Sequence, residues 1–289
     1  MATIVNADVD YLFGKNGSLY VHQLYISILE FEKYIKKDSF IMFKKKLKSI
    51  LPSPSVGTKN EATRDEWLAQ TLQKIPSGLT ILDAGAGECK YKKFCSHLKY
   101  ISQDFGQYTG GAGEAKDIGL QTGSWDNTQL DIASDITQIP LPNNSVDAIM
   151  CTEVFEHLPN PILAIKEFSR LLKPNGKLIL SAPFASLVHF APYHFYSGFS
   201  RYFYEKHLPE NGFEIETLEF NGNFFEYLAQ EIRRLPYICQ RYANKKISIF
   251  SKLSIMFLLF LLQKMSKKEM NSQELLCFGC HVLAKRVSK

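Results

Sequence analysis

The chain predicts an α/β fold built on a parallel sheet. Three observations carry this. The run Ile81-Leu82-Asp83-Ala84-Gly85-Ala86-Gly87-Glu88-Cys89 is an apolar strand that ends in an acid and a Gly-x-Gly turn. Short apolar runs then recur, each ending in an acid, at Tyr100–Asp104 and Ile132–Asp135. Finally, a helix-period segment at Pro161–Leu172 sits between two further strands, Val146–Cys151 and Lys177–Ala182. Strands alternating with helices read as a sheet with crossover connections.

The glycine turn comes first. Gly85 can take a positive φ, and Gly87 has no side chain to hold a ligand away from the backbone. Asp83 places negative charge beside the turn, which suits a cationic ligand and repels a pyrophosphate. A dinucleotide site would carry a third glycine where this chain has Lys90. Asp104 follows about one strand later. A carboxylate there can accept bonds from both hydroxyls of a ribose, each worth roughly 1.5–3 kcal/mol. The Pro140-Leu141-Pro142 turn follows the third strand, and the fourth runs into Glu153-Val154-Phe155-Glu156-His157. The next helix shows its apolar face through Ile162, Leu163, Ile165, Phe168, Leu171 and Leu172. Lys173-Pro174-Asn175-Gly176 is expected to stop it.

In this order the motifs resemble the class I S-adenosylmethionine-dependent methyltransferases of the type 11 kind. The resemblance runs from about Thr80 to Phe220 and closes at Leu276–Lys285. It implies a Rossmann-like seven-stranded sheet, mostly parallel with the last strand antiparallel, and S-adenosylmethionine as cofactor. It also implies roles. Asp83, Gly85 and Gly87 hold the methionine end, Asp104 the ribose and Asp135 the adenine amine, with Ile136 and Glu153 lining the same site. Cys89 stands where the family commonly has its third glycine.

The remaining segments are additions to that plan. Residues 1–57 read as an N-terminal helical segment, with Leu19–Leu51 largely helical and Pro52–Gly57 a linker. Residues 58–289 read as the enzyme domain, opening on a helix at Ala62–Lys74. Residues 105–128 carry too many glycines for a helix and leave the ligand edge of the sheet. Trp125 there could cover an adenine or simply pack.

Residues 183–212 form an aromatic lid insert at the same edge. Six aromatics and two histidines fall within His189–Tyr202. The stretch resembles an insert in methyltransferases of bacterial polysaccharide and cell-envelope gene clusters, and aromatic faces suit sugar rings. Residues 224–272 lie between the last two strands, Phe213–Phe220 and Leu275–Ala284, and read as a helical insertion.

Within that insertion Leu253–Leu262 is nearly unbroken hydrophobe. Ten helical residues span roughly 15 Å, half a bilayer core. The flanking strands are sheet neighbours, so the chain must return to the same side and a single span is excluded. Three readings stay open for residues 247–265: peripheral membrane contact helped by Lys245, Lys246, Lys252, Lys264, Lys267 and Lys268, a homodimer interface, or internal packing.

Composition bounds the rest. The net charge of +5 is mild, and no basic cluster is interleaved with stacking aromatics, so no nucleic-acid partner is expected. Six scattered cysteines show no disulfide framework and fit a reducing compartment. Cys277 and Cys280 have metal-pair spacing but no second pair. No signal-peptide pattern opens the chain, and a cytoplasmic location is expected, with possible attachment to the inner membrane face.

The chemistry implied is in-line displacement at a sulfonium methyl. A hydroxyl acceptor then needs a base. Glu153, Glu156 and His157 have the i, i+3, i+4 spacing of one helical face. They could hold a divalent ion, with His189 or His194 completing the site. That spacing resembles the magnesium site of small-RNA 2′-O-methyltransferases. The metal-free reading is preferred: His157 or His194 is the base, Glu153 is beside it, and no metal ligand is assigned. The leading function is methyl transfer to a hydroxyl of a sugar or lipid-linked glycan precursor. A quinone-type or other small apolar acceptor is the alternative, and a non-catalytic cofactor-binding scaffold a third.

Overall fold

A computed structural model describes residues 54–110, 119–120 and 124–287. The expected helix at Leu19–Leu51 lies outside the described residues. The order of elements is helix α1 (Asn60–Gln73), strands β1 (Thr80–Ala84), β2 (Lys99–Asp104), β3 (Ile132–Ala133) and β4 (Val146–Thr152), helix α2 (Pro161–Leu171), strand β5 (Leu172–Pro183), helix α3 (Arg201–Glu210), strand β6 (Phe213–Asn221), helices α4 (Phe224–Tyr242) and α5 (Ile249–Ser266), and strand β7 (Gly279–Arg286).

The seven strands form one sheet in the order β3-β2-β1-β4-β5-β7-β6. Neighbours are parallel from β3 to β5, and β7 runs antiparallel to both β5 and β6. The expected architecture, including the insertion between β6 and β7, is the one observed. From β1 the chain turns towards β2 on one side, and later places β4 on the other. The carboxyl ends of β1 and β4 therefore flank the crevice where ligands bind in open α/β sheets.

Both sheet faces are covered, which explains the continuous apolar strands. Leu82, Ile149, Leu178 and Leu180 face α2 and α3, meeting Ile165, Phe168, Leu171, Tyr204 and Leu208. Ile81, Met150 and Ile179 face the other way, onto Leu68 and Leu72 of α1. Asn160 caps α2 by accepting the Leu163 amide, with Pro161 in the first turn, where no amide is needed.

Several boundaries differ from the expectation. Lys173–Gly176 does not separate helix from strand: β5 begins at Leu172, and the excursion is a register shift between the Val146–Leu172 and Ala148–Lys177 pairs, with Asn175 at φ 64°. The last strand begins at Gly279 rather than Leu275, since Ser272–Glu274 forms a short 3-10 turn first. The second half of the aromatic insert is the regular helix α3.

The insertion is a pair of helices. Asn223 caps α4 and Ser248 caps α5 through their side chains. Ala229, Ile232, Leu259 and Leu262 pack together, with Val56 among them. Residues 54–57 are thus no free linker. Gln263 Oε1 accepts the amides of Ser55 and Val56, each at 2.9 Å, and Glu226 accepts the Gly57 amide at 2.6 Å. A Cβ at Gly57 would lie 2.4 Å from the Gln230 amide nitrogen, so only glycine permits this approach. The opposite face of α5 is open: Phe257 is 76% exposed and Leu261 46%.

Candidate active site

The glycine turn is held from β2. The amides of Gly85 and Ala86 donate to the Gln103 carbonyl at 2.8 and 2.9 Å. Gly85 has φ 79° and Gly87 φ 51°, the region that disfavours side chains. Asp104 ties the turn to the next loop. Its carboxylate accepts the Gly87 amide at 3.1 Å and the Gly106 amide at 2.9 Å.

Asp83 is buried at the end of β1 and accepts the Tyr100 hydroxyl at 2.6 Å. Burial pushes its pKa up to about 7, against the lowering by Tyr100 and with a smaller push from Asp104. It makes no ion pair among the described residues. A buried carboxylate of this kind gains from a cation brought by a ligand.

Asp135 is exposed after β3, where its Oδ1 accepts the Thr137 amide at 2.8 Å, while the adjacent Ile136 is buried. Trp125 lies over the glycine turn. A Cβ at Gly87 would be 2.6 Å from Trp125 Cζ2, and the indole packs edge-on to Tyr108 and Phe190.

The Glu153-x-x-Glu156-His157 motif is not one helical face, and that expectation is corrected. Glu153 sits at φ 55°, and Phe155–His157 is a single 3-10 turn. The break in backbone sends the two acids apart. Glu153 Oε2 pairs with Arg64 of α1 at 2.9 Å, and its Oε1 accepts the Ser181 hydroxyl of β5 at 2.9 Å. Its amide also donates to the Ser181 carbonyl. Glu156 points inward and is 1% exposed. No short-range pattern links Arg64 or Ser181 to Glu153, so neither partner could be found from spacing.

His157, His189 and His194 come together instead. One nitrogen from each lies within 4.8 Å of the others. His157 Nδ1 donates to the Tyr193 carbonyl at 2.5 Å. Burial holds the pKa of His157 down at about 3, with the neighbouring His189 as the next cause. His194 is lowered for the same two reasons, and neither of its nitrogens has a partner. The lid segment is laid against this corner through its backbone: the amides of Phe195 and Tyr196 donate to the Glu156 carbonyl at 2.8 and 3.2 Å.

Residues 82–180 match the family model described as a methyltransferase domain. This part of the chain is a methyltransferase domain. It contains the glycine turn, both strand-end acids and the Glu-x-x-Glu-His motif. A ubiquinone biosynthesis O-methyltransferase of Xanthomonas oryzae pv. oryzae is 54% identical over 37 residues, covering 13% of this chain and 16% of that protein. An uncharacterized methyltransferase of Mycobacterium sp. (strain KMS) is 28% identical over 119 residues, covering 40% of this chain and 43% of that protein. The chain therefore spans well under half the length of these curated relatives. Among solved structures, a SAM dependent methyltransferase from Archaeoglobus fulgidus aligns with 77% of this chain and 94% of its own at 14% identity and TM-score 0.45.

S-adenosylmethionine is the cofactor expected of such a methyltransferase domain. The residues fit it. Asp83 is a buried acid with no cationic partner among the described residues, Asp104 is the acid expected to meet a ribose, and the glycines keep the turn clear of side chains. When bound, the cofactor supplies an electrophilic methyl.

Proposed function

We propose that the protein transfers a methyl group from S-adenosylmethionine to a hydroxyl of a sugar or lipid-linked glycan precursor. The observation that carries this is the aromatic lid standing over the carboxyl ends of β1 and β4. Phe195 is 49% exposed and Tyr196 38%, so two ring faces are open to a sugar beside the histidine corner. In this reading the acceptor hydroxyl lies next to His157 and His194, with Glu153 fixing the floor of the cofactor site. His157 is too weak a base to take the proton alone near neutral pH.

The open apolar face of α5 supports a lipid-linked substrate. With Lys252 and Lys264 on the same helix and Lys267 just beyond, it suits a peripheral seat on the anionic inner face of the cell membrane. This helix has the length and composition of a membrane span, but the strands on either side of the insertion are sheet neighbours, so a single crossing stays excluded and a peripheral seat is the reading kept. A second reading, methylation of a quinone-type acceptor, is favoured by the short match to a ubiquinone biosynthesis O-methyltransferase.

The test is an acceptor screen with labelled S-adenosylmethionine. Label in polyprenyl-linked glycans, absent with Asp104→Ala, supports the first reading. Label only in quinol precursors supports the second. Cofactor binding without transfer to either class overturns both and leaves a binding scaffold.

A further inference from the structure

We propose that Glu156, His157, His189 and His194 bind a divalent transition-metal ion of the zinc class, which fastens the aromatic lid to the end of β4.

His157, His189 and His194 each bring one nitrogen within 4.8 Å of the other two, and Glu156 borders this trio through His157 and His189. His157 and His189 each use Nδ1 on a backbone carbonyl, Tyr193 at 2.5 Å and Leu187 at 2.8 Å. Metal-bound histidines are commonly oriented in this way, by a carbonyl at the far nitrogen. Both rings thereby present Nε2 to the interior, and each Nε2 is 3.7 Å from Glu156 Oε1. Those gaps are too long for hydrogen bonds. They are near the roughly 3.4 Å that separates two ligands on a tetrahedral ion with bonds of about 2.1 Å. His194 closes the set, its ring centroid 4.8 Å from that of His189 and 5.9 Å from that of His157.

The unpartnered atoms point the same way. Glu156 Oε2, His157 Nε2 and both His194 nitrogens are shielded from solvent and have no hydrogen-bond partner. His189 and Glu156 attract one another across a long 3.7 Å ion pair, but the buried polar atoms of Glu156 Oε2, His157 Nε2 and His194 stay unpartnered among the described residues, which is costly. One divalent cation would take one atom from each of the four side chains and leave a single His194 nitrogen over. Three nitrogens and one oxygen favour zinc or its neighbours over magnesium, which prefers oxygen. Glu153 is outside the set, since Arg64 and Ser181 hold it.

The ion would also act on the acceptor. A hydroxyl that enters its coordination sphere as a fifth ligand is acidified: the O–H bond breaks, the electron pair stays on the oxygen facing the ion, and the proton leaves to water. The ion is neither oxidised nor reduced. This use rests on the methyltransferase reading; ion binding does not.

The experiment titrates chelator-treated full-length protein with zinc chloride by calorimetry and with cobalt chloride by visible absorption. One equivalent is expected, with the intense cobalt bands of a four-coordinate site. The double variant His189→Ala/His194→Ala should weaken binding by roughly 100-fold or more. Glu153→Gln and the control His207→Ala, on α3 outside the cluster, should retain it. Circular dichroism of the double variant checks folding, and wild-type stoichiometry tests the site without any variant. Binding well below one equivalent in the wild type overturns the proposal, as does undiminished binding in the folded double variant. Equal loss in Glu153→Gln overturns the ligand set. Methyl transfer that proceeds unchanged after metal removal overturns only the catalytic use. An ion bound without transfer to any acceptor upholds the site and counts against the function.

Discussion

Asp104 joins two functions in one carboxylate. It holds the Gly87 and Gly106 amides and stands where the ribose is expected. Asp104→Ala should weaken S-adenosylmethionine binding by at least tenfold in calorimetry, because one ribose bond to a charged group is worth about 1.5–3 kcal/mol. Gly87→Ala meets two obstacles, the positive φ and the indole of Trp125. It should shift the Trp125 fluorescence and weaken cofactor binding, whereas retention of both would show that the indole moves freely. His281 tests the electrostatics of the core. It stacks on Trp67 with ring centroids 4.5 Å apart, and burial, aided by Arg64, holds its pKa down at about 4. The unfolded chain takes up that proton near pH 6.5 and the folded one does not, so this contribution is present above pH 6.5 and lost as pH falls towards 4. Between pH 7 and pH 5 the loss is about 2 kcal/mol. His281→Phe should keep the stack and remove that part of the slope in urea unfolding at the two pH values.

At the scale of elements, the sheet was legible and its partners were not. Apolar runs ending in acids located β1, β2, β3 and β4, because a strand buried on both faces writes itself as continuous hydrophobe. The insertion between β6 and β7 was legible for a topological reason, as everything between two sheet neighbours must return. Helix α2 ends at Leu171, where Lys173–Gly176 is expected to stop it, but the same residues form a bulge inside β5 rather than a loop before it. The Glu153–His157 motif was found by its spacing but not by its shape, because Glu153 at φ 55° and a single 3-10 turn replace the helical face. His189 and His194 were visible as candidates, while Arg64 and Ser181 act across the fold and left no local pattern. For α5 the sequence offered three fates and the described residues narrow them. Leu259 and Leu262 are packed, whereas Phe257 and Leu261 are open. Phe257→Asp/Leu261→Asp should abolish cosedimentation with anionic vesicles and leave the melting temperature unchanged. Loss of a dimer in sedimentation equilibrium instead would assign the face to a second copy.

At the scale of the whole molecule, the β4–β5 edge, the first helix and the lid converge on one corner. Arg64 reaches Glu153 from α1, and the lid backbone reaches the Glu156 carbonyl. Arg64→Met should leave Glu153 without its cation and lower cofactor affinity more than thermal stability, checked by comparing calorimetry with melting.

The β6–β7 hairpin is already closed beneath its helices: the Phe278 amide donates to the Asn221 carbonyl at 2.8 Å, and Asn221 pairs with Gly279. The strands therefore need nothing from the fifty-odd residues between them to find their register. The helical pair is a cassette plugged into a finished socket. Excising residues 224–276 should leave a four-residue loop, Gly222-Asn223-Cys277-Phe278, and a core that still folds and binds S-adenosylmethionine. By the same logic, descendants of this chain can trade one cassette for another, changing the company the protein keeps without rewriting its chemistry.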